Sequence, residues 1–242
     1  MSDTGFLSRL PDARGRLARG RRLADLTWFR VGGPAEALFQ PADADDLAAV
    51  LAALPAEVPV TPVGVGSNLL VRDGGLPGLV VRPGARGFGE LRAEGDTVIA
   101  GAAVPDARLA EAAAAAGIAG LEFLRGVPGA VGGALAMNAG CYGREVRDVL
   151  LWAEGVTREG RRVRLSPGEM GFSYRHAEAA ERVVFTRAAF RGRLDDPAAV
   201  SARMAELLAR REATQPVRAR TGGSTFRNPA GASSGPSGAP PP

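Results

Sequence analysis

The chain has 242 residues, 45% of them hydrophobic, and a formal net charge of +4 carried by 30 basic residues that are all arginine. One histidine and one cysteine exclude a multi-histidine metal centre and an intrachain disulfide framework. Acidic residues are interspersed among the arginines, and the aromatics (2 Trp, 2 Tyr, 9 Phe) are too scattered for a base-stacking platform, so the composition argues against nucleic-acid binding.

Met1 to Leu10 show no basic stretch followed by an apolar core, and no apolar segment approaches the roughly 20 residues a membrane span needs. The expectation is a cytoplasmic protein. Arg14, Arg16, Arg19, Arg21 and Arg22 form the densest basic run, read as a solvated amino-terminal arm over residues 1–22. Ala35 to Gln40 reads as a strand. Asp43 to Leu54 places Leu47, Val50, Leu51 and Leu54 at helical spacing, with Asp43 as the cap. Val60 to Val65 is a second strand running into a glycine loop, and Leu79 to Val81 and Thr97 to Ala100 are further strands. Pro105 to Ala116 is an alanine-rich helix stopped by Gly117. After a long glycine segment, Val149 to Gly155, Arg161 to Leu165 and Arg182 to Phe190 read as strands of an antiparallel or mixed sheet. Pro197 to Glu212 is an amphipathic helix started by Asp195 or Asp196, with Val200, Met204, Leu207 and Leu208 on one stripe. Residues 230–242 are only Ala, Gly, Ser and Pro, a composition expected to stay disordered.

Only three asparagines occur, each inside a glycine-rich motif. The bias toward Ala, Arg, Gly, Pro, Leu and Val suggests GC-rich coding, which removes Asn and Lys wherever nothing requires them. Asn68 ends Gly64-Val65-Gly66-Ser67-Asn68. Glycines there let consecutive backbone N–H groups turn toward an anion, with Ser67 and Asn68 adding side-chain donors; the alternative is a tight turn between strands. The segment is neither a P-loop, since it lacks Lys and the required spacing, nor a dinucleotide fingerprint, since the third glycine is missing. Asn138 closes the segment opened by Gly126. There Pro128-Gly129 forces a turn and Gly132-Gly133 leaves almost no side-chain volume, so a flat ligand or another backbone can approach and a helix N-terminus can face a pyrophosphate. The alternative is close helix packing. Two such loops, each with an asparagine, favour a bound dinucleotide. Asn228 closes Gly223-Ser224-Thr225-Phe226-Arg227-Asn228-Pro229. Within Ser173-Tyr174-Arg175-His176, Arg175 is either a carboxylate grip or one more surface arginine. His176 reads as a surface or loop residue and Cys141 as a small packing residue.

These motifs in this order, from Thr27-Trp28-Phe29-Arg30-Val31-Gly32-Gly33 to Asn228-Pro229, resemble the UDP-N-acetylenolpyruvoylglucosamine reductases of bacterial peptidoglycan synthesis. The resemblance implies an α+β chain with a two-lobed FAD-binding domain of the vanillyl-alcohol-oxidase (PCMH) type over residues 23–192, its lobes about 23–82 and 83–192. Residues 193–229 would begin a truncated carboxy-terminal substrate domain. It implies FAD and NADPH as cofactors, a UDP-sugar as small-molecule partner, no metal, no membrane partner and a monomer. By resemblance, Gly64, Val65, Gly66, Ser67, Asn68, Gly126, Pro128, Gly129, Gly132, Gly133 and Asn138 bind FAD. Tyr142, Tyr174 and Asn228 bind substrate, Arg175 grips the enolpyruvyl carboxylate, and Ser224 is the general acid. NADPH would reduce the flavin and leave. Hydride would then pass to the terminal carbon of the enolpyruvyl ether, charge would build on the carboxylate against a fixed guanidinium, and Ser224 would protonate the adjacent carbon. The chain departs from the family in one respect. The family carries a carboxy-terminal glutamate that assists the protonation, whereas no residue after Glu212 is acidic here. The alternative expectation is therefore a truncated flavin-binding remnant with little or no turnover.

Overall fold

The computed structural model describes residues 4–214; Ser224, Asn228 and the tail at 230–242 lie outside the described residues. In chain order, β1 (Arg16–Arg19), β2 (Ala35–Gln40), α1 (Ala44–Ala53), β3 (Val60–Pro62) and β4 (Leu76–Val81) build a first, four-stranded sheet in the order β1-β2-β4-β3. Strands β2, β4 and β3 run parallel, and β1 closes one edge antiparallel. Then follow α2 (Ala85–Phe88), β5 (Leu91–Glu94), β6 (Thr97–Gly101), α3 (Asp106–Ala115), β7 (Ile118–Ala119) and α4 (Val131–Ala136). A small hairpin of β8 (Gly140–Cys141) and β9 (Arg144–Glu145) leads to β10 (Leu150–Thr157) and β11 (Arg162–Leu165). A second small hairpin, β12 (Phe172–Ser173) and β13 (His176–Ala177), precedes β14 (Val183–Arg191), β15 (Arg193–Leu194) and α5 (Pro197–Thr214). The second sheet is antiparallel throughout, in the order β11-β10-β14-β6-β5.

Local chemistry explains the helices. The Asp43 carboxylate accepts from the N–H groups of Asp45 and Asp46, which caps α1 as its sequence predicts. Asp196 does the same for α5 by accepting from Ala199 N–H. The buried face of α1 (Leu47, Val50, Leu51) meets Phe39 and Leu79 of the first sheet and Val156 and Val184 of the second. Each of these side chains, fully buried, contributes about 1.5–3 kcal/mol. The helix therefore joins the two sheets. Arg158, in the β10–β11 turn, strengthens the join by donating to the carbonyls of Leu51 in the last turn of α1 and of Leu54, Pro55 and Val58 just past it. A larger core sits between the second sheet and α3 and α4, with Leu109, Leu121, Leu135 and Phe190 at its centre.

Three expectations change. The basic run is not a free arm. Its side chains in β1 are exposed, but its backbone pairs with β2, and Arg14 and Gly15 donate to the buried Asp46 carboxylate at 2.9 and 2.8 Å. Phe6 and Leu7 are buried against α1's cluster. The strand expected over Val60 to Val65 ends at Pro62, because the chain must turn at Gly64 and Gly66. Strand β5 was unforeseen, since Leu91–Glu94 leaves most of its side chains in solvent and shows no apolar face.

Candidate functional site

The first glycine loop leaves β3 and crosses the Leu26–Trp28 segment. Gly66 has φ +68°, and a Cβ there would strike the Leu26 carbonyl oxygen at 2.3 Å. Trp28 N–H donates to the Gly66 carbonyl at 2.9 Å, which fixes that approach. Only glycine satisfies both demands. Gly64 faces open space. Among the described residues, the backbone N–H groups of Gly64 to Asn68 have no hydrogen-bond acceptor. Ser67 is half-buried; Val65 and Asn68 are exposed. Five consecutive amides without acceptors among the described residues suit an anion.

The second loop is built differently. Its backbone pairs with residues 102–106: Asp106 N–H donates to Gly129 O at 3.1 Å, Val131 N–H to Val104 O at 3.0 Å and Gly132 N–H to Ala102 O at 3.0 Å. Gly133 and Ala134 N–H both donate to Ala130 O. The first amides of α4, expected to face a pyrophosphate, are thus spent within the fold. Gly132 packs its bare face on Ala102, where a Cβ would lie 3.2 Å from that residue's own Cβ, while Gly133 faces open space. Gly126 lies under Tyr142 and Cys141, its Cβ position 3.0 and 3.1 Å from their nearest atoms.

The two loops meet at one point. A Cβ on Gly129 would lie 3.8 Å from Ser67 Oγ and 3.0 Å from Asp106 Oδ2. Asp106 opens α3 and is 1% exposed, and neither of its carboxylate oxygens has a hydrogen-bond partner among the described residues. Burial pushes its carboxyl up to about 8. The sequence reading missed this residue; its one local signal is an Asp directly after Pro105 at a helix start, which reads as ordinary capping.

Asn138 turns its side chain into the protein. It is 1% exposed, sits at φ +39°, and commits its amide to the protein: Nδ2 donates to Glu145 Oε2 at 2.9 Å and to Ser173 O at 3.2 Å, and Oδ1 accepts from Arg147 N–H at 3.1 Å. It ties the second loop to the β8–β9 hairpin and to the β12–β13 hairpin. The latter carries Tyr174 and Arg175 at its tip, both exposed; Arg175 has φ +57° and its guanidinium lies 5.7 Å from the Tyr174 ring centre. Arg175 stands close enough to Cys141 for its charge to favour the thiolate. Burial outweighs that pull and pushes the thiol up to about 11, while Sγ donates to Phe123 O at 3.0 Å. Cys141 is therefore a packed, neutral thiol. His176 stands half-buried beside Glu181, its Nε2 3.6 Å from the carboxylate. Tyr142 hydroxyl donates to Leu207 O of α5 at 3.1 Å, and Arg211 of α5 donates to the Gly126 carbonyl. Helix α5 is thereby fastened to the second loop.

Two clefts flank α5. One, of about 810 Å³, has Tyr142, Glu122, Arg144 and Arg203 in its wall; the other, of about 220 Å³, has Val127, Pro128 and Arg211. Neither is lined by Gly64 to Asn68, so the loops join at a surface contact and share neither cleft. Ser224 and Asn228 lie outside the described residues. No described helix is long and apolar enough to cross a membrane.

A family model described as FAD binding domain matches residues 35–166. UDP-N-acetylenolpyruvoylglucosamine reductase of Azorhizobium caulinodans is 58% identical over 222 residues, covering 92% of this chain and 72% of that protein. The crystal structure of UDP-N-acetylenolpyruvylglucosamine reductase from Thermus caldophilus superposes with a TM-score of 0.76 at 34% identity, covering 92% of this chain and 77% of that one. At 18% identity and a TM-score of 0.55, 6-hydroxy-D-nicotine oxidase from Arthrobacter nicotinovorans shares the fold, over 74% of this chain and 42% of its own.

Proposed function

The chain belongs to the UDP-N-acetylenolpyruvoylglucosamine reductase family of FAD-dependent oxidoreductases, and on that premise we propose that it reduces UDP-N-acetylenolpyruvoylglucosamine to UDP-N-acetylmuramate with NADPH as electron donor. The observation that carries the reading is the meeting of the two glycine loops at Ser67 and Gly129. The residues present fit a flavin nucleotide. The acceptor-free amides of Gly64 to Asn68 suit its phosphates, and the bare faces of Gly64 and Gly133 leave room for a flat or extended ligand. Bound there and reduced by NADPH, the flavin would supply hydride to the substrate.

The protein's own part is positioning and electrostatics. Gly64, Val65, Gly66, Ser67 and Asn68 hold the phosphates. Gly126, Pro128, Gly129, Gly132 and Gly133 form the facing wall, and residues 23–82 and 83–192 act as the two lobes of the seat. Arg175, exposed on its hairpin and oriented by the Asn138 tie to Ser173, pairs with the enolpyruvyl carboxylate. Its guanidinium stabilises the charge that builds there during hydride transfer more than it stabilises the ground state. Tyr174 and Tyr142 flank the sugar nucleotide. Ser224 donates the proton and Asn228 steadies the substrate.

Anaerobic mixing of the FAD-loaded protein with NADPH, then with the sugar nucleotide, tests this in two stages. The proposal expects the flavin absorbance to bleach and then to return as substrate is consumed. Protein that takes up no FAD contradicts the seat. Protein that bleaches and is not reoxidised by the sugar nucleotide contradicts the reductase assignment and leaves a flavin-binding chain with little turnover.

A further inference from the structure

Among the described residues, Asp106 is the one buried carboxyl whose side chain no contact explains. Both carboxyl oxygens are enclosed and neither has a hydrogen-bond partner among the described residues. Such a group costs stability, so its presence calls for a return elsewhere. The group sits at the junction of the two loops. Asp106 Oδ2 and Ser67 Oγ converge on the position that a side chain on Gly129 would fill, at 3.0 and 3.8 Å. Asp106 N–H is bonded to the Gly129 carbonyl, which ties the start of α3 to the second loop.

We propose, resting on the flavin seat above, that Asp106 is a positioning residue for the cofactor: when the nucleotide binds, the Asp106 carboxyl O–H donates to Ser67 Oγ across the bare face of Gly129, turning the Ser67 hydroxyl outward to donate to a phosphate oxygen. The direction of this relay follows from charge. An ionised carboxylate behind the phosphate site would repel the ligand, whereas a neutral carboxylic acid repels nothing and supplies a donor. Burial without a partner keeps Asp106 neutral at neutral pH. Gly129 is then required because any side chain would separate the two oxygens. Asp106 touches no cofactor atom; it acts through Ser67.

The test is FAD titration of the apoprotein of the full chain by flavin fluorescence, with the melting temperature of each empty protein alongside. Asp106→Ala is expected to weaken FAD about tenfold while leaving the empty protein as stable as wild type or more so, since an unpartnered buried polar group has been removed. Asp106→Asn, which retains an N–H donor toward Ser67, is expected to stay within about twofold of wild type. Ser67→Ala is expected to match Asp106→Ala, and the double variant to be no weaker than either single one, the signature of two residues acting as a unit. Riboflavin, which lacks phosphate, is expected to bind the four variants and wild type alike. FAD affinity unchanged in Asp106→Ala, strict additivity with Ser67→Ala, or a lowered melting temperature with equal losses for FAD and riboflavin would each overturn the proposal. Wild type that binds no FAD instead defeats the seat on which it rests.

Discussion

The Gly64–Asn68 loop and the Gly126–Asn138 segment look alike in sequence, glycine-rich and closed by asparagine, yet they use those residues for opposite purposes. In the first, glycine lets the backbone turn and leaves its amides without acceptors. In the second, glycine lets backbones pack, and the amides at the start of α4 are bonded to Ala102, Val104 and Ala130. The asparagines differ in the same way: Asn68 is exposed, whereas Asn138 is sealed in and saturated. Glycine content alone therefore does not identify a ligand loop. What identifies it is whether the N–H groups are already taken.

The sharpest way to break this contrast is Gly66→Val. A β-branched residue at φ +68° whose Cβ would meet the Leu26 carbonyl costs roughly 3 kcal/mol or more. The expected result is a fall in melting temperature of several degrees with loss of FAD uptake; a stable, flavin-binding variant would show that the loop is not held as described. Asn138→Ala comes next. It strands Arg147 N–H and the Ser173 carbonyl, while the Glu145 oxygen keeps its Arg147 partner, for about 2 kcal/mol. Because the amide serves the fold, the melting temperature is expected to drop while the remaining folded protein keeps its FAD affinity within about threefold and binds the sugar nucleotide less tightly. A variant of normal stability that has lost FAD would return Asn138 to the cofactor.

These outcomes also mark what the sequence could reveal. Helix α1 and its Asp43 cap were legible because capping and apolar spacing are local and repeat every turn. The two glycine loops were legible because asparagine is scarce in this chain and glycine is conformationally special, whereas the Tyr174–Arg175 hairpin was not, its arginine being one of many. Strand β1 was hidden because its stabilising bonds run to β2, some 20 residues away, and its side chains carry no apolar alternation. The role of Asn138 was hidden for a similar reason: one of its partners, Ser173, is 35 residues distant. Asp106 showed only an ordinary helix-start signal, because burial is a property of what folds over a residue.

Asp106 also sharpens the junction through pH. Its carboxyl rises from an ordinary value near 4 to about 8 on folding, so between these values the native state keeps a proton that the unfolded chain has released. Stability from this group is therefore lost as pH rises through that window. The Cys141 thiol, the titratable group whose charge couples to it, stays neutral throughout because its own value is about 11, and Ser67 carries no charge. Chemical denaturation at pH 5, 6 and 7 should show wild type losing stability relative to Asp106→Asn by up to about 1.4 kcal/mol per pH unit. Parallel curves would place the carboxyl in contact with water or a cation.

The smallest effects separate the loops most finely. Gly133→Ala fills open space inside a helix and is expected to raise the stability of the empty protein by up to about 1 kcal/mol. Gly64→Ala, also in open space, should change it by less than about 0.5 kcal/mol. Both are expected to weaken FAD, Gly64→Ala more so; unchanged affinity in both would move the cofactor off these faces.

Amide hydrogen exchange with and without FAD, read residue by residue, tests the central claim most directly. The account predicts new protection at Gly64 to Asn68, whose N–H groups find an acceptor only in the ligand, and little change at Val131 to Ala134, which are already bonded. Protection confined to Val131–Ala134, or none at either loop, would contradict it.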